Sequence, residues 1–131
     1  MAKLSVVILA KDEEKFIGAC IESVKNFADE IIVVDDFSTD NTARICENLG
    51  AKVIKRNLNG DWSAQRNFAI EQASCDWIFF IDADERVTDK LAEEIKNILR
   101  EDNKNFAWRC ARLSYFWGKP LKHGGWFPDY V

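Results

Sequence analysis

Cys75-Asp76-Trp77-Ile78-Phe79-Phe80-Ile81-Asp82-Ala83-Asp84-Glu85 is a run of aromatic and β-branched residues that stops abruptly in carboxylates. Such a run suits a buried central strand of a parallel sheet. Carboxylates just past that strand stand at its C-terminal edge, where open α/β sheets bind their ligands. Asp82 and Asp84 are two residues apart. Continued strand geometry would put them on one face, whereas a turn would let one meet a metal and the other a ligand hydroxyl. Mg²⁺ and Mn²⁺ take oxygen ligands of this kind, and a phosphorylated substrate can supply the rest. The competing structural reading is an acidic turn ahead of a helix, with Asp84 and Glu85 in solvent.

Upstream, the same grammar repeats. Residues 4–9, Leu-Ser-Val-Val-Ile-Leu, read as a first buried strand. A polar connection, Lys11-Asp12-Glu13-Glu14, leads into a predicted helix over residues 15–26, with Asp12 as its cap or as a ligand group. Residues 30–34 form a second strand that ends in Asp35-Asp36. Ser38, Thr39 or Asp40 can cap the following helix, residues 42–49, which Gly50 stops. Adjacent carboxylates at a strand end suit a base N–H contact beside a loop brace, or else a capping pair with a solvated acid. Residues 51–55 read as a short strand near an edge. Asp61 caps a helix over residues 62–73, whose start gathers Gln65, Arg66 and Asn67. Arg66 at a helix start can favour a phosphate, or it can lie on a solvated polar face.

Downstream, residues 88–100 have helical spacing at Leu91, Ile95, Ile98 and Leu99. Residues 106–113 resemble another strand, antiparallel or mixed. The tail that follows is aromatic and basic. Trp117 and Trp126 are candidate sugar platforms, and with Lys119, Lys122 and His123 they suit a sugar or phosphosugar site, His123 as a contact to substrate, phosphate or a metal. These rings would equally suit a packed flap.

Composition narrows the class. The 131 residues are 47% hydrophobic and 31% charged, which points to a single folded domain, and the strand–helix alternation makes it a layered α/β domain. A net charge of −4 argues against a general nucleic-acid binder but not against a nucleotide bridged by a metal. Cys20, Cys46, Cys75 and Cys110 show no metal-ligand spacing and are expected as buried free thiols in a reducing, cytoplasmic setting. No apolar run is long enough to span a membrane, although peripheral contact at its inner face stays open. The first strand begins too early to leave room for a signal peptide. The absence of a closing helix suggests C-terminal truncation. A dinucleotide fold is disfavoured because no GxGxxG follows the first strand. A sugar-nucleotide nucleotidyltransferase would want a glycine-rich loop there, and none is present. A noncatalytic donor-binding fragment is a further alternative.

Residues 4–14, residues 31–42 and residues 76–85 together resemble an inverting family 2 glycosyltransferase with a GT-A fold. Residues 115–130, with Gly118-Lys119 and His123-Gly124-Gly125-Trp126-Phe127-Pro128, are similar to the bacterial lipopolysaccharide-core β-glucosyltransferase branch. The resemblance implies a layered GT-A core with a mostly parallel sheet, residues 1–113, and the start of an acceptor-facing segment, residues 114–131. It implies that Asp36 contacts the base while Asp35 supports its loop. Asp82-Ala83-Asp84 matches the DxD motif, with Asp84 on the metal and Asp82 on the donor sugar or the metal. Arg66 and Asn67 match the polar helix start near the donor. Asp12 replaces the asparagine often found in relatives, which puts its donor role in doubt. The expected donor is a nucleoside-diphosphate sugar, with UDP-glucose foremost, and the expected acceptor is a glycan or lipid-linked glycan. The general base is expected beyond Val131.

Overall fold

In the computed structural model, which describes residues 1–101, 107–125 and 129–131, four parallel strands form the sheet that carries the candidate site. They are β1 (Leu4–Ala10), β2 (Glu30–Asp35), β3 (Lys52–Lys55) and β4 (Trp77–Phe80), in spatial order β3-β2-β1-β4. The helices are α1 (Ile17–Val24), α2 (Thr42–Asn48), α3 (Trp62–Gln72) and α4 (Asp89–Arg100). The alternation of strand and helix leaves every strand pointing the same way, so all the βα loops emerge on one edge. This is the mostly parallel, layered α/β architecture expected from the sequence.

The core divides along the pleat of β1. Leu4, Val6, Ile8 and Ala10 belong to one cluster with Ile17, Cys20, Ile21 and Val24 of α1, Cys46 of α2 and Leu99 of α4. Val7 belongs to the opposite cluster with Ile32, Val34 and Ala69 of α3. Successive side chains on a strand point to opposite faces, so a continuous apolar run is what a strand covered on both sides requires.

The expected central position of residues 75–85 is corrected. Among the described residues, β4 pairs with β1 alone within this sheet and is half-buried throughout, so it lies at an edge. Its residues still face both layers: Trp77 and Phe79 pack on the first cluster, Ile78 and Phe80 on the second. The apolar run reports two-sided packing, and two-sided packing does not require a neighbour on each edge. β3 occupies the other edge, as its lysines suggest.

Helix ends differ in detail. α1 is shorter than residues 15–26 because the chain first makes a turn, with the Phe16 and Ile17 N–H groups both donating to Glu13 O. Asp12 is therefore not its cap. Asp61 does cap α3, accepting from Ala64 N–H at 2.9 Å, and Thr88 caps α4, accepting from Leu91 N–H at 3.3 Å. Of the cysteines, Cys20 and Cys46 are buried while Cys75 and Cys110 are only half-buried; all are free. Cys75 also precedes β4 instead of starting it.

The expected strand over residues 106–113 reduces to β5 (Ala111–Arg112), with Phe106 outside the described residues. β5 pairs antiparallel with β8 (Asp129–Tyr130). Between them, β6 (Tyr115–Phe116) and β7 (Lys119–Pro120) form a hairpin. Its two-residue loop places Trp117 at φ 50° and Gly118 at φ 72°, the positive pair that a tight hairpin turn demands. Among the described residues, no helix is long and apolar enough to cross a membrane.

Replacing Asp61 by Ala removes the carboxylate that accepts the Ala64 N–H. Urea unfolding of D61A is expected to show a loss of about 1 kcal/mol, with D61S close to the parent.

Candidate functional site

The loops after β1 and β2 are joined by a reciprocal set of hydrogen bonds. Asp12 N–H donates to Ser38 Oγ at 2.8 Å, while Asp12 Oδ1 accepts from Thr39 N–H at 2.7 Å. Glu13 N–H donates to Thr42 Oγ1, and Glu14 N–H to Asp40 Oδ2. Glu14 Oε2 in turn accepts from both the backbone and the side-chain amide of Asn41. Asp12 achieves this from a left-handed backbone, φ 52°. Its carboxylate is thus a cross-loop brace, a role that its position before a helix does not reveal.

Asp35 and Asp36 divide their work. Asp35 is fully buried and accepts from the Ser38 N–H and hydroxyl, holding the loop that follows β2. Asp36 lies half-buried beside it, and its Oδ1 accepts from Leu58 N–H at 2.9 Å. Lys11 Nζ donates to the Asp36 and Phe37 carbonyls at 2.5 and 3.1 Å. Around these groups lies a cavity of about 80 Å³, lined among others by Lys11, Glu13, Asp36, Leu58, Trp62 and Gln65. Gln65 is buried in its wall, with its amide paired at both ends by Arg56: it accepts from Nη1 at 2.5 Å and donates to the carbonyl at 2.9 Å.

The acid turn stands on the other side of β1. Phe80 is in register with Val7, three residues before β1 ends at Ala10. The chain then leaves the sheet with Ile81 and Ala83 buried and Asp82 and Asp84 exposed. This is the alternation of a strand carried into a turn, anchored by two apolar side chains. Glu85 closes the turn, since its Oε2 accepts from Asp82 N–H at 2.9 Å and its N–H donates to Asp82 O at 3.0 Å. Beneath it, the Cys20 thiol donates to Asp82 O at 3.4 Å. Burial, with Glu85, Asp84 and Asp82 nearby, pushes that thiol up to about 12, so it stays a neutral donor.

Charge accumulates here. Although Asp82 is exposed as a residue, the turn packed around its carboxyl partly desolvates it and raises it above its ordinary value; Glu85 and Asp84 raise it further, and Arg66 and Arg112 oppose them. Glu13 is raised by burial and then by Asp84, Asp40 and Asp82. Crowded oxygens of this kind are relieved by a cation. Among the described residues, no three His, Cys, Asp or Glu side chains converge as a ready-made metal cage. Mg²⁺ and Mn²⁺ at phosphate sites use one or two carboxylates plus phosphate oxygens, so Asp82 and Asp84 fit a cation shared with a diphosphate.

The remaining candidates fall in two places. Arg66 and Asn67 are exposed on α3, with the Arg66 guanidinium 6.0 Å from the Phe80 ring centroid, beside the acid turn. Trp117, Lys119, Lys122 and His123 are exposed on and beyond the β6–β7 hairpin, with Trp117 at 89% exposure. Trp126 lies outside the described residues. Sequence reading missed Glu13, Leu58, Trp62 and Arg112. The first three gave no pattern beyond a polar loop, a turn and a helix start. Arg112, inside an expected strand, gave none either.

The glycosyl transferase family 2 profile matches residues 5–127. The chain belongs to this family. An uncharacterized glycosyltransferase of Rickettsia typhi is 44% identical over 105 residues, 80% of this chain and 36% of that protein. The lipopolysaccharide core biosynthesis glycosyltransferase LpsC of Rhizobium meliloti is 39% identical over 119 residues, 88% of this chain and 44% of LpsC. Among solved structures, S. aureus TarS 1–349 aligns with TM-score 0.62 and 31% identity over 73% of this chain and 31% of that one. The glucosyl-3-phosphoglycerate synthase of Mycobacterium tuberculosis, in complex with Mn²⁺ and UDP-glucose, aligns with TM-score 0.58 and 28% identity. That match covers 77% of this chain and 40% of the synthase. This family 2 chain therefore spans between 31% and 44% of the length of these relatives.

The raised Asp82 carboxyl has a definite pH signature. The fold holds this proton above the pH at which the unfolded chain releases it. The contribution of Asp82 to stability is therefore greatest below its ordinary value of 3.8 and declines as pH rises through the higher folded value. In metal-free buffer, thermal unfolding of D82N is expected to show a higher midpoint than the parent at pH 7, with the difference closing at acid pH.

Proposed function

We propose that the chain is the donor-binding part of an inverting glycosyltransferase. The reaction would move a hexose, glucose foremost, from a nucleoside-diphosphate sugar to a lipopolysaccharide-core or related glycan acceptor, which can be lipid-linked. The observation that carries this reading is one edge of a parallel sheet on which a cavity at Lys11 and Asp36 and the acid turn at Asp82–Asp84 flank the end of β1. Likeness to a synthase bound to Mn²⁺ and UDP-glucose supports the donor, and likeness to LpsC supports the acceptor.

In this reading the free edge of the Asp36 carboxylate accepts a base N–H, while Asp35 and the Asp12–Thr39 bond keep its loop in place. Asp84 holds Mg²⁺ or Mn²⁺, with Asp82 beside it on the metal or on the donor's ribose or sugar. Arg66 and Asn67 approach the diphosphate from α3. A bound cation supplies charge that stabilises the departing diphosphate. The acceptor hydroxyl forms the new bond to the anomeric carbon as the bond to the diphosphate breaks. The electron pair leaves on the diphosphate oxygen, a base takes the proton, and the anomeric configuration inverts.

Residues 1–113 would form the donor core and residues 114–131 the start of the acceptor-facing segment. There Trp117 and Trp126 offer faces to sugar rings, and Lys119, Lys122 and His123 offer cationic or hydrogen-bonding contacts. We assign no base within residues 1–131, so this segment would bind donor with weak or no transfer. A cytoplasmic setting against the inner membrane face suits a lipid-linked acceptor.

Calorimetric titration with UDP, UDP-sugars and GDP-sugars, with and without Mn²⁺, tests the reading. UDP binding is expected to tighten with Mn²⁺. D84A is expected to abolish that increment, whereas D36N is expected to weaken uridine binding about tenfold without metal, the cost of one charged hydrogen bond. UDP affinity that Mn²⁺ leaves unchanged, or no UDP binding at all, would sink the proposed donor site. Robust turnover by the 131 residues would overturn the placement of the base.

A further inference from the structure

Arg112 makes contacts that the donor site does not by itself require. Its Nη1 donates to Glu85 Oε1 at 3.2 Å, while Nε and Nη2 donate to Asp129 Oδ2 at 3.0 and 2.7 Å. Glu85 belongs to the acid turn and Asp129 to β8, which is paired with β5 directly opposite Arg112. The two oxygens of Glu85 face different ways. Oε2 holds the Asp82 N–H, and Oε1 meets Arg112. A continuous path therefore runs from the Asp82 backbone through Glu85 and Arg112 to Asp129. The far end is itself clamped, since Cys110 and Val131 exchange both backbone hydrogen bonds at 2.9 Å.

An isolated exposed ion pair would contribute little. This one differs in arrangement. A planar guanidinium spans two acids on separate elements, and its fork fixes their relative placement in a way a single ammonium cannot. Glu85 cannot follow a shift of the acid turn without changing its approach to Arg112. Arg112 cannot follow Glu85 without changing its approach to Asp129.

We propose that Arg112 is a positioning residue that couples occupation of the Asp82–Asp84 turn by a cation and diphosphate to the setting of the β5–β8 ribbon. This rests on the donor-site reading above. Donor binding at the acid turn would thereby be felt at Cys110 and Val131, the hydrogen-bonded end of the ribbon. By reciprocity, whatever fixes the ribbon tightens the donor site by the same factor.

Amide hydrogen exchange on the full chain, followed by NMR, tests this with Mn²⁺ and UDP as probes. Without ligand, R112A is expected to speed exchange at Asp82, Cys110 and Val131 roughly three- to tenfold. Amides of Val6, Val7 and Ile8 should not change, which reports an intact sheet. In the parent, Mn²⁺ with UDP should slow exchange at the acid turn and also at Cys110 and Val131. In R112A the acid turn should still be protected while the ribbon is not. D129N should behave as R112A, and R112K should lie between. A structural role alone would alter the ligand-free rates and leave the transmitted protection intact. Ribbon protection that survives R112A overturns the coupling, as does a parent ribbon that ignores ligand while its acid turn responds. A parent acid turn that does not respond overturns the donor-site reading itself.

Discussion

β1 is hydrogen-bonded to β2 on one side and to β4 on the other, and nearly all of its side chains are buried. The candidate site depends on that double pairing. Ala10 in register with Asp35 brings the first two loops to the same height. Val7 in register with Phe80 makes β4 stop earlier, so the acid turn forms beside the last residues of β1. Parallel pairing cannot be made by a tight hairpin, so each strand must be delivered by a helix. The helices pay for the site by burying both faces of the sheet, and the loops are left free to be polar.

The polar loops are not left loose. The β1 and β2 loops satisfy one another through Asp12, Glu13, Glu14, Ser38, Thr39, Asp40, Asn41 and Thr42. Most of these groups would otherwise serve as ordinary helix caps. Spending them across the gap fixes the two loops against each other and leaves the Asp36 carboxylate held by Leu58 N–H at one oxygen. On the other flank, desolvation first, and then the neighbouring Glu85 and Asp84, raise the Asp82 carboxyl. The site thus combines a rigid, internally satisfied half with an electrostatically unsatisfied half. The first suits recognition of a fixed group, and the second suits binding of a cation that arrives with its own oxygens.

The fold class and the strand-end carboxylates were legible because both are local. The apolar runs at residues 4–9, 30–34 and 77–80 announce strands. Asp61 announces a cap, and it is within three residues of the N–H it accepts. The role of Asp12 was not legible, since its partner Thr39 is 27 residues away and belongs to another loop. The edge position of β4 was hidden for a related reason. Trp77 to Phe80 pack into both layers, so the run looks as apolar as a central strand would. Arg112 sat unnoticed in an apolar stretch, because its meaning comes from Glu85 and Asp129.

The sequence by itself determined that four strands alternate with helices, that they run parallel, and that carboxylates follow β1, β2 and β4. Those properties come from side-chain periodicity and from caps that act within a turn or two. Only the tertiary structure decided which carboxylate braces a loop, which crowds its neighbours and which answers to a distant arginine. Those choices depend on strand order and register, which bring residues 22 to 27 positions apart into hydrogen-bonding distance. No local pattern encodes that distance.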